Sequence, residues 1–231
     1  MSFPQRRLAD TPAVTTDQMR EVDRLMIEDA GISLLQMMEN AGRSLAAVVL
    51  ARHPGASVTV LAGTGGNGGG GLVAARHLVN RGSQVSVAMS SDELSTVAGL
   101  QFEIVKAMGV PTSAEPEFSD IIIDALVGYS LRGAPRGRTA ELIDWANGAG
   151  ANVVALDVPS GLDSTTGETP GSAISAAATM TIALPKTGLA DSELVGDLYL
   201  TDISVPQSVY EALGVPVPAD LFVQGQVLAL T

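Results

Sequence analysis

The sequence predicts an α/β protein in which a mostly parallel, doubly wound sheet is covered by helices on both faces and preceded by two further helices. Three observations carry that prediction. From Val58 to Val158 short apolar runs alternate with amphipathic segments, the repeat of a βα unit. Runs such as Ile121-Ile122-Ile123 and Val153-Val154-Ala155-Leu156 are unbroken, as parallel strands buried on both faces require. Between the first such strand and the next helix stands Gly63-Thr64-Gly65-Gly66-Asn67-Gly68-Gly69-Gly70-Gly71, with seven glycines in nine positions. A glycine loop there, able to adopt positive φ, can aim successive N–H groups at a phosphate on the positive end of the following helix.

Each element has its own signal. Residues 1–14 contain two prolines and no periodicity, which predicts an extended arm. Thr15 with Gln18 three places on is a capping box, followed by the apolar stripe Met19, Val22, Leu25 and Met26 and a stop at Gly31. Ser33 with Gln36 repeats the signal and opens a helix with Leu34, Leu35, Met38, Ala41, Leu45 and Val49 inward. Then follow strand 58–62, helix 71–81, strand 84–89, helix 92–108, strand 120–126, helix 136–147 and strand 152–158. Gly82 and Gly109, the latter with Pro111 close behind, are the expected helix stops. Ala178 to Leu184 and Leu198 to Ile203 predict two further strands, and residues 206–231 form a tail.

Composition narrows the function. With 231 residues and 46% apolar content the chain builds one substantial core. No stretch reaches the roughly 18 to 20 apolar residues that cross a bilayer, and Leu8-Ala9-Asp10-Thr11-Pro12 breaks any secretory h-region. The expectation is a cytoplasmic protein. The formal charge of −12 lacks a basic cluster, which opposes nucleic acid and anionic membranes as partners. The absence of cysteine removes thiolate catalysis and Cys-based metal sites. His53 and His77 stand alone and take no role.

Ligands of open α/β sheets bind beyond the carboxyl ends of the strands. Three strand ends carry unusual residues: the glycine run, Asp124-Ala125-Leu126-Val127-Gly128-Tyr129-Ser130, and Asp157-Val158-Pro159-Ser160-Gly161. In a parallel sheet all three project to one edge. Asp124 and Asp157 can then meet there, with Asn67 and Ser160 nearby, as oxygen ligands for a hard cation. Either aspartate alone reads as a turn cap; the pair beside a glycine run reads as a site. Gly128 to Gly137, with Arg132 and Arg136, suggests a phosphate clamp or a solvated basic turn. Lys186 reads as a solvated strand end.

These residues resemble the NAD(P)H-hydrate epimerase family, the YjeF N-terminal domain, over about residues 13–205. The resemblance rests on Leu35-Gln36-Met37-Met38-Glu39-Asn40-Ala41-Gly42, the glycine run with Leu72 to Leu78, Asp124 to Gly128, and Asp157 to Gly161. It implies a Rossmann-like three-layer α/β/α sandwich with extra N-terminal helices, one such domain over 1–231. It also implies epimerisation of the R and S forms of hydrated NAD(P)H for cofactor repair. The implied cofactor is potassium, held by Asn67, Asp124 and Ser160. The implied substrate contacts are Gly66, Asn67, Gly68, Gly69, Gly70, Gly128, Tyr129, Ser130, Leu131, Arg132, Gly133, Ala134 and Asp157, with Asp157 catalytic. No dehydratase domain follows, so the implied functional partner is a separate dehydratase, and a homodimer is the expected assembly.

The family loop usually reads Asn-Asn-Gly-Gly-Asp, where this chain has Gly66-Asn67-Gly68-Gly69-Gly70. The loss of a carboxylate leaves a second reading, a non-catalytic nucleotide-binding or scaffold module. A third, an NAD-dependent dehydrogenase, rests on Gly63, Gly65 and Gly68 fitting G-x-G-x-x-G. It lacks the acidic residue that should end the second strand, where Ser90 and Ser91 stand.

Overall fold

A computed structural model describes residues 2–231; Met1, at the start of the arm, lies outside them. The first helices are α1, Thr16–Glu28, and α2, Leu34–Arg52. Both begin on the predicted capping boxes, Thr15 with Gln18 and Ser33 with Gln36, so that N-terminal donors are satisfied by side chains. The Gln18 side chain accepts from the Thr15 N–H at 2.9 Å, and the Gln36 side chain accepts from the Ser33 N–H at 2.8 Å. Thr15→Ala is expected to lower the unfolding free energy by about 1 kcal/mol, read as a shifted urea midpoint at unchanged slope.

Leu35 departs from its expected inward position and is 36% exposed, while Met37 is buried. Leu35 borders a groove toward Leu100 and Ile104, both exposed, that no described element fills.

The strands are β1 Gln5–Arg6, β2 Val58–Ala62, β3 Val85–Met89, β4 Thr112–Ser113, β5 Ile121–Ala125, β6 Asn152–Leu156, β7 Ala178–Ile182, β8 Asp197–Thr201 and β9 Val227–Leu230. They form one sheet in the order β1-β9-β8-β7-β6-β5-β2-β3-β4, and β9 runs antiparallel to β8. The remaining helices are α3 Gly66–Val79, α4 Thr96–Ala107, α5 Gly137–Gly148 and α6 Gln207–Ala212. Helix α4 starts four residues later than position 92, on the Ser95 cap, whose side chain accepts from the Ala98 N–H.

The chain winds outward from β2 to β3 and β4, then returns to β5 beside β2 and winds the other way. Crossovers of one hand therefore land on opposite faces of the sheet. The larger core cluster joins Leu72 and Leu78 of α3 and Val105 of α4 to Val58 and Val60 of β2. The smaller one packs Leu142, Ile143 and Ala146 of α5 against Leu61, Ile122 and Val153. Three layers follow, and the reversal between β2 and β5 opens a crevice at their carboxyl ends. Among the described residues no helix is long and apolar enough to cross a membrane.

Candidate active site

The glycine run is the largest local departure from expectation. It is not a positive-φ loop: none of Gly63 to Gly71 has positive φ, and helix α3 already begins at Gly66 with Gly65 as its N-cap. Its glycines serve close packing instead. A Cβ on Gly68 would lie 1.8 Å from the Gly63 carbonyl oxygen, and one on Gly63 would lie 1.9 Å from that of Leu126. On Gly42 of α2 it would lie 2.5 Å from the Gly70 carbonyl oxygen, so α2 and α3 touch backbone to backbone. The run brings the N-terminus of α3 onto the turn after β5.

Asp157 follows β6 in a left-handed backbone conformation, φ 71°, which aspartate tolerates better than most residues. Its carboxylate is 1% exposed as a residue and is held from two sides. The Tyr129 N–H donates to Oδ2 at 2.8 Å, and Lys186 Nζ lies 2.5 Å from Oδ1. Lys186 is thus not a solvated strand end. It is 1% exposed, and its ammonium also donates to the Ile182 carbonyl at 2.8 Å and to Thr181 Oγ1 at 3.2 Å. A lysine this deep needs a counter-charge, and Asp157 supplies it.

Asp124 is the penultimate residue of β5 and is fully buried without a cationic partner among the described residues. Its oxygens accept from Ser160 N at 2.8 Å, Ser160 Oγ at 2.6 Å and Leu126 N at 3.2 Å. Burial pushes its carboxyl up to about 6, against the lowering pull of those hydrogen bonds. Ser160 Oγ also accepts from Val127 N at 2.9 Å, which ties the turns after β5 and β6 together. The Asn67 amide is satisfied when its nitrogen donates to the Leu156 carbonyl and its oxygen accepts from the Gly128 N–H, each at 3.3 Å. Asp124 and Asp157 each have their own partners and share none.

Above these groups opens a cleft of 220 Å³. Leu34, Met37, Met38 and Ala41 of α2, with Leu156, Ile182 and Ile203, make its apolar walls. Gly66, Asn67, Gly70, Gly128, Tyr129, Ser130 and Asp157 line it as well. Gly68, Gly69, Leu131, Arg132, Gly133 and Ala134 are outside that lining, and Arg132 and Arg136 face solvent. The volume is below the roughly 300–1,000 Å³ of cavities that enclose a whole drug-sized ligand. It takes a single ring and leaves a larger molecule to extend over the open edge.

Sequence reasoning missed Asp23 of α1, which lines the cleft and whose Oδ2 accepts from the Tyr129 hydroxyl at 2.5 Å. A signal was present: Asp23 stands four residues after Met19 and three before Met26, on the apolar stripe. His77 is half-buried against Glu39, at 2.7 Å, on the outer side of α2 and α3, and does not line the cleft.

Fold and site together define a class of protein: a Rossmann-like α/β/α sandwich with a ring-sized apolar cleft at its switch point and a buried carboxylate on the cleft wall. Within that class the chain belongs to the family described as YjeF-related protein N-terminus, which it matches over residues 34–188. It is 46% identical over 232 residues to an NAD(P)H-hydrate epimerase of Dehalogenimonas lykanthroporepellens, covering 96% of this chain and 94% of the relative. It is 36% identical to an NAD(P)H-hydrate epimerase of Truepera radiovictrix, covering 85% and 92%. A bifunctional NAD(P)H-hydrate repair enzyme of Hyperthermus butylicus is 44% identical over 191 residues, 76% of this chain and 35% of that longer one. A crystal structure of yeast ynu0 superposes with a TM-score of 0.82 at 26% identity, over 94% of this chain and 99% of that one.

Proposed function

We propose that this protein is an NAD(P)H-hydrate epimerase, interconverting the R and S forms of the hydrated cofactor so that a separate dehydratase can return the S form to use. The observation that carries the reading is Asp157, a buried carboxylate paired with Lys186 on the wall of an apolar, ring-sized cleft. The hydrate bears its hydroxyl on a carbon bonded to nitrogen. Protonating that hydroxyl expels water and leaves a planar iminium, which water rejoins from the other side. Asp157 is the acid/base group for this exchange. Lys186 holds its carboxylate in place, and the Tyr129 N–H fixes the second oxygen. The walls from α2 seat the nicotinamide ring, with the remainder of the dinucleotide over Gly66, Asn67 and Gly128.

The donor set fits potassium. Asp124 is a fully buried carboxylate with no cationic side chain beside it among the described residues, and Ser160 and Asn67 add neutral oxygens. These three residues would hold the ion, and it would supply a counter-charge for Asp124 that fixes the turns after β5 and β6. Cytoplasmic residence and a homodimeric assembly belong to the same reading.

One observation favours a second reading, a binding module without turnover. Gly70 lines the cleft at the position where the resemblance expects a carboxylate. A Cβ there meets only the movable Leu156 Cδ2, at 2.8 Å, so the first atom of a side chain at 70 needs only Leu156 to shift. The test is an assay with R-form hydrate and potassium, coupled to an S-specific dehydratase. The parent is expected to exceed the spontaneous rate, and Asp157→Asn to lose about 10²–10⁴-fold. Asp157→Asn at the parental rate would overturn the assignment of Asp157. An inactive parent with an active Gly70→Asp would select the binding module.

A further inference from the structure

Tyr129 joins two carboxylates of one cleft. Its N–H holds Asp157, and its hydroxyl is hydrogen-bonded to Asp23, which α1 contributes from 106 residues away. Burial raises the Asp23 carboxyl above the usual range more than the Tyr129 hydrogen bond lowers it, and burial raises the Tyr129 phenol too. Lys186 Nζ lies 6.0 Å from the Tyr129 ring centroid, so the phenol, the ammonium and both carboxyls form one connected group. In the epimerase reading Asp157 alone moves protons.

Epimerisation, however, has two faces. Water leaves one side of the ring and returns on the other. By microscopic reversibility the group that protonates a hydroxyl on one face also takes the proton from water arriving on that face in the reverse direction. A single carboxylate has to reach both sides; two groups on the same cleft divide them.

Resting on the epimerase reading, we propose that Tyr129 is a second catalytic residue, with Asp23 as its positioning residue, handling the proton on one face of the ring while Asp157 handles the other. In the resting arrangement the Tyr129 hydroxyl donates to Asp23; the step needs that hydroxyl turned to the departing group and Asp23 protonated, so that the Tyr129 proton passes to the departing hydroxyl and the Asp23 proton passes to the phenol oxygen. The C–O bond breaks with its electron pair on the leaving water, giving water, the iminium and an Asp23 carboxylate. A second water then adds to the opposite face as Asp157 takes its proton. Solvent returns that proton from Asp157 to Asp23 before the next turnover.

Isotope exchange tests this. Each purified epimer is incubated with the protein and potassium in ¹⁸O water, and label incorporation and inversion are followed together. The parent is expected to incorporate at least one label per inversion. In Tyr129→Phe, inversion is expected to fall at least 100-fold with KM within about twofold. Label exchange without inversion, into the epimer whose hydroxyl faces Asp157, is expected to continue within about tenfold of the parental turnover. Asp23→Asn keeps a hydrogen-bond partner for the phenol and is expected to show the same split with a smaller loss of inversion. Loss of exchange and inversion by the same factor in both variants, or inversion within threefold of the parent in both, would overturn the proposal. A parent that neither exchanges nor inverts is a different outcome: it removes the epimerase reading and this proposal with it.

Discussion

Lys186→Met is expected to destabilise the protein by about 3–5 kcal/mol, the effect of leaving one member of a buried ion pair uncompensated. The ammonium lies 2.5 Å from Asp157 Oδ1, and both residues are 1% exposed. Methionine fills the same apolar volume, so the loss is electrostatic and not a cavity. For a chain of this size it corresponds to a fall of about 10 °C in Tm. Asp157→Asn strands the ammonium and is expected to destabilise comparably; asparagine tolerates the left-handed backbone at 157, so strain adds little. The double variant Lys186→Met/Asp157→Asn removes both charges and is expected to recover most of the stability. Activity is expected to stay at least about 100-fold down, because the acid/base group is gone. Thermal unfolding and the coupled assay, run on all four proteins, read stability and turnover separately. Additive losses in the double variant would mean that the two groups do not act as a pair.

Gly68→Ala is expected to prevent accumulation of folded protein, a loss beyond about 4 kcal/mol. The added methyl would lie 1.8 Å from the Gly63 carbonyl oxygen and 2.5 Å from its carbon. Both contacts are with backbone, so no rotamer relieves them. The strand end, the turn and the first turn of α3 would have to separate, and with them the contact between α3 and the turn after β5. Gly70→Ala, two residues on, is the control: its methyl meets only Leu156 Cδ2 at 2.8 Å, the free end of a side chain. It is expected to cost about 1 kcal/mol. Soluble yield and denaturant midpoints of the two variants decide whether the run is packing or merely a flexible loop. Equal behaviour would refute the packing account.

The glycine run shows where local reading stops. Seven glycines in nine positions signal tight quarters but do not say whether the freedom is used for positive φ or for the absence of a side chain. Here it is the latter, since helix α3 starts inside the run. The short strands at the sheet edges are similar. β1 and β4 have two residues each, too few for a period of two to register, and they exist through their partners β9 and β3.

By itself the sequence determined the type and order of the long elements, the starts of α1 and α2, and the gathering of Asp124, Asp157 and the glycine run at one sheet edge. These are written in windows of four to a dozen residues: capping boxes, a period of 3.6, unbroken apolar runs between stops. Only the tertiary structure decided that Lys186 is buried against Asp157, that Tyr129 bridges to Asp23, and that α2 walls the cleft. Those facts depend on contacts between distant positions, such as Tyr129 to Asp23 at 106 residues and Thr16 to Thr165 at 149. A lysine at the end of a strand looks solvated until the rest of the chain closes over it, because burial belongs to the assembled core and not to any segment of it.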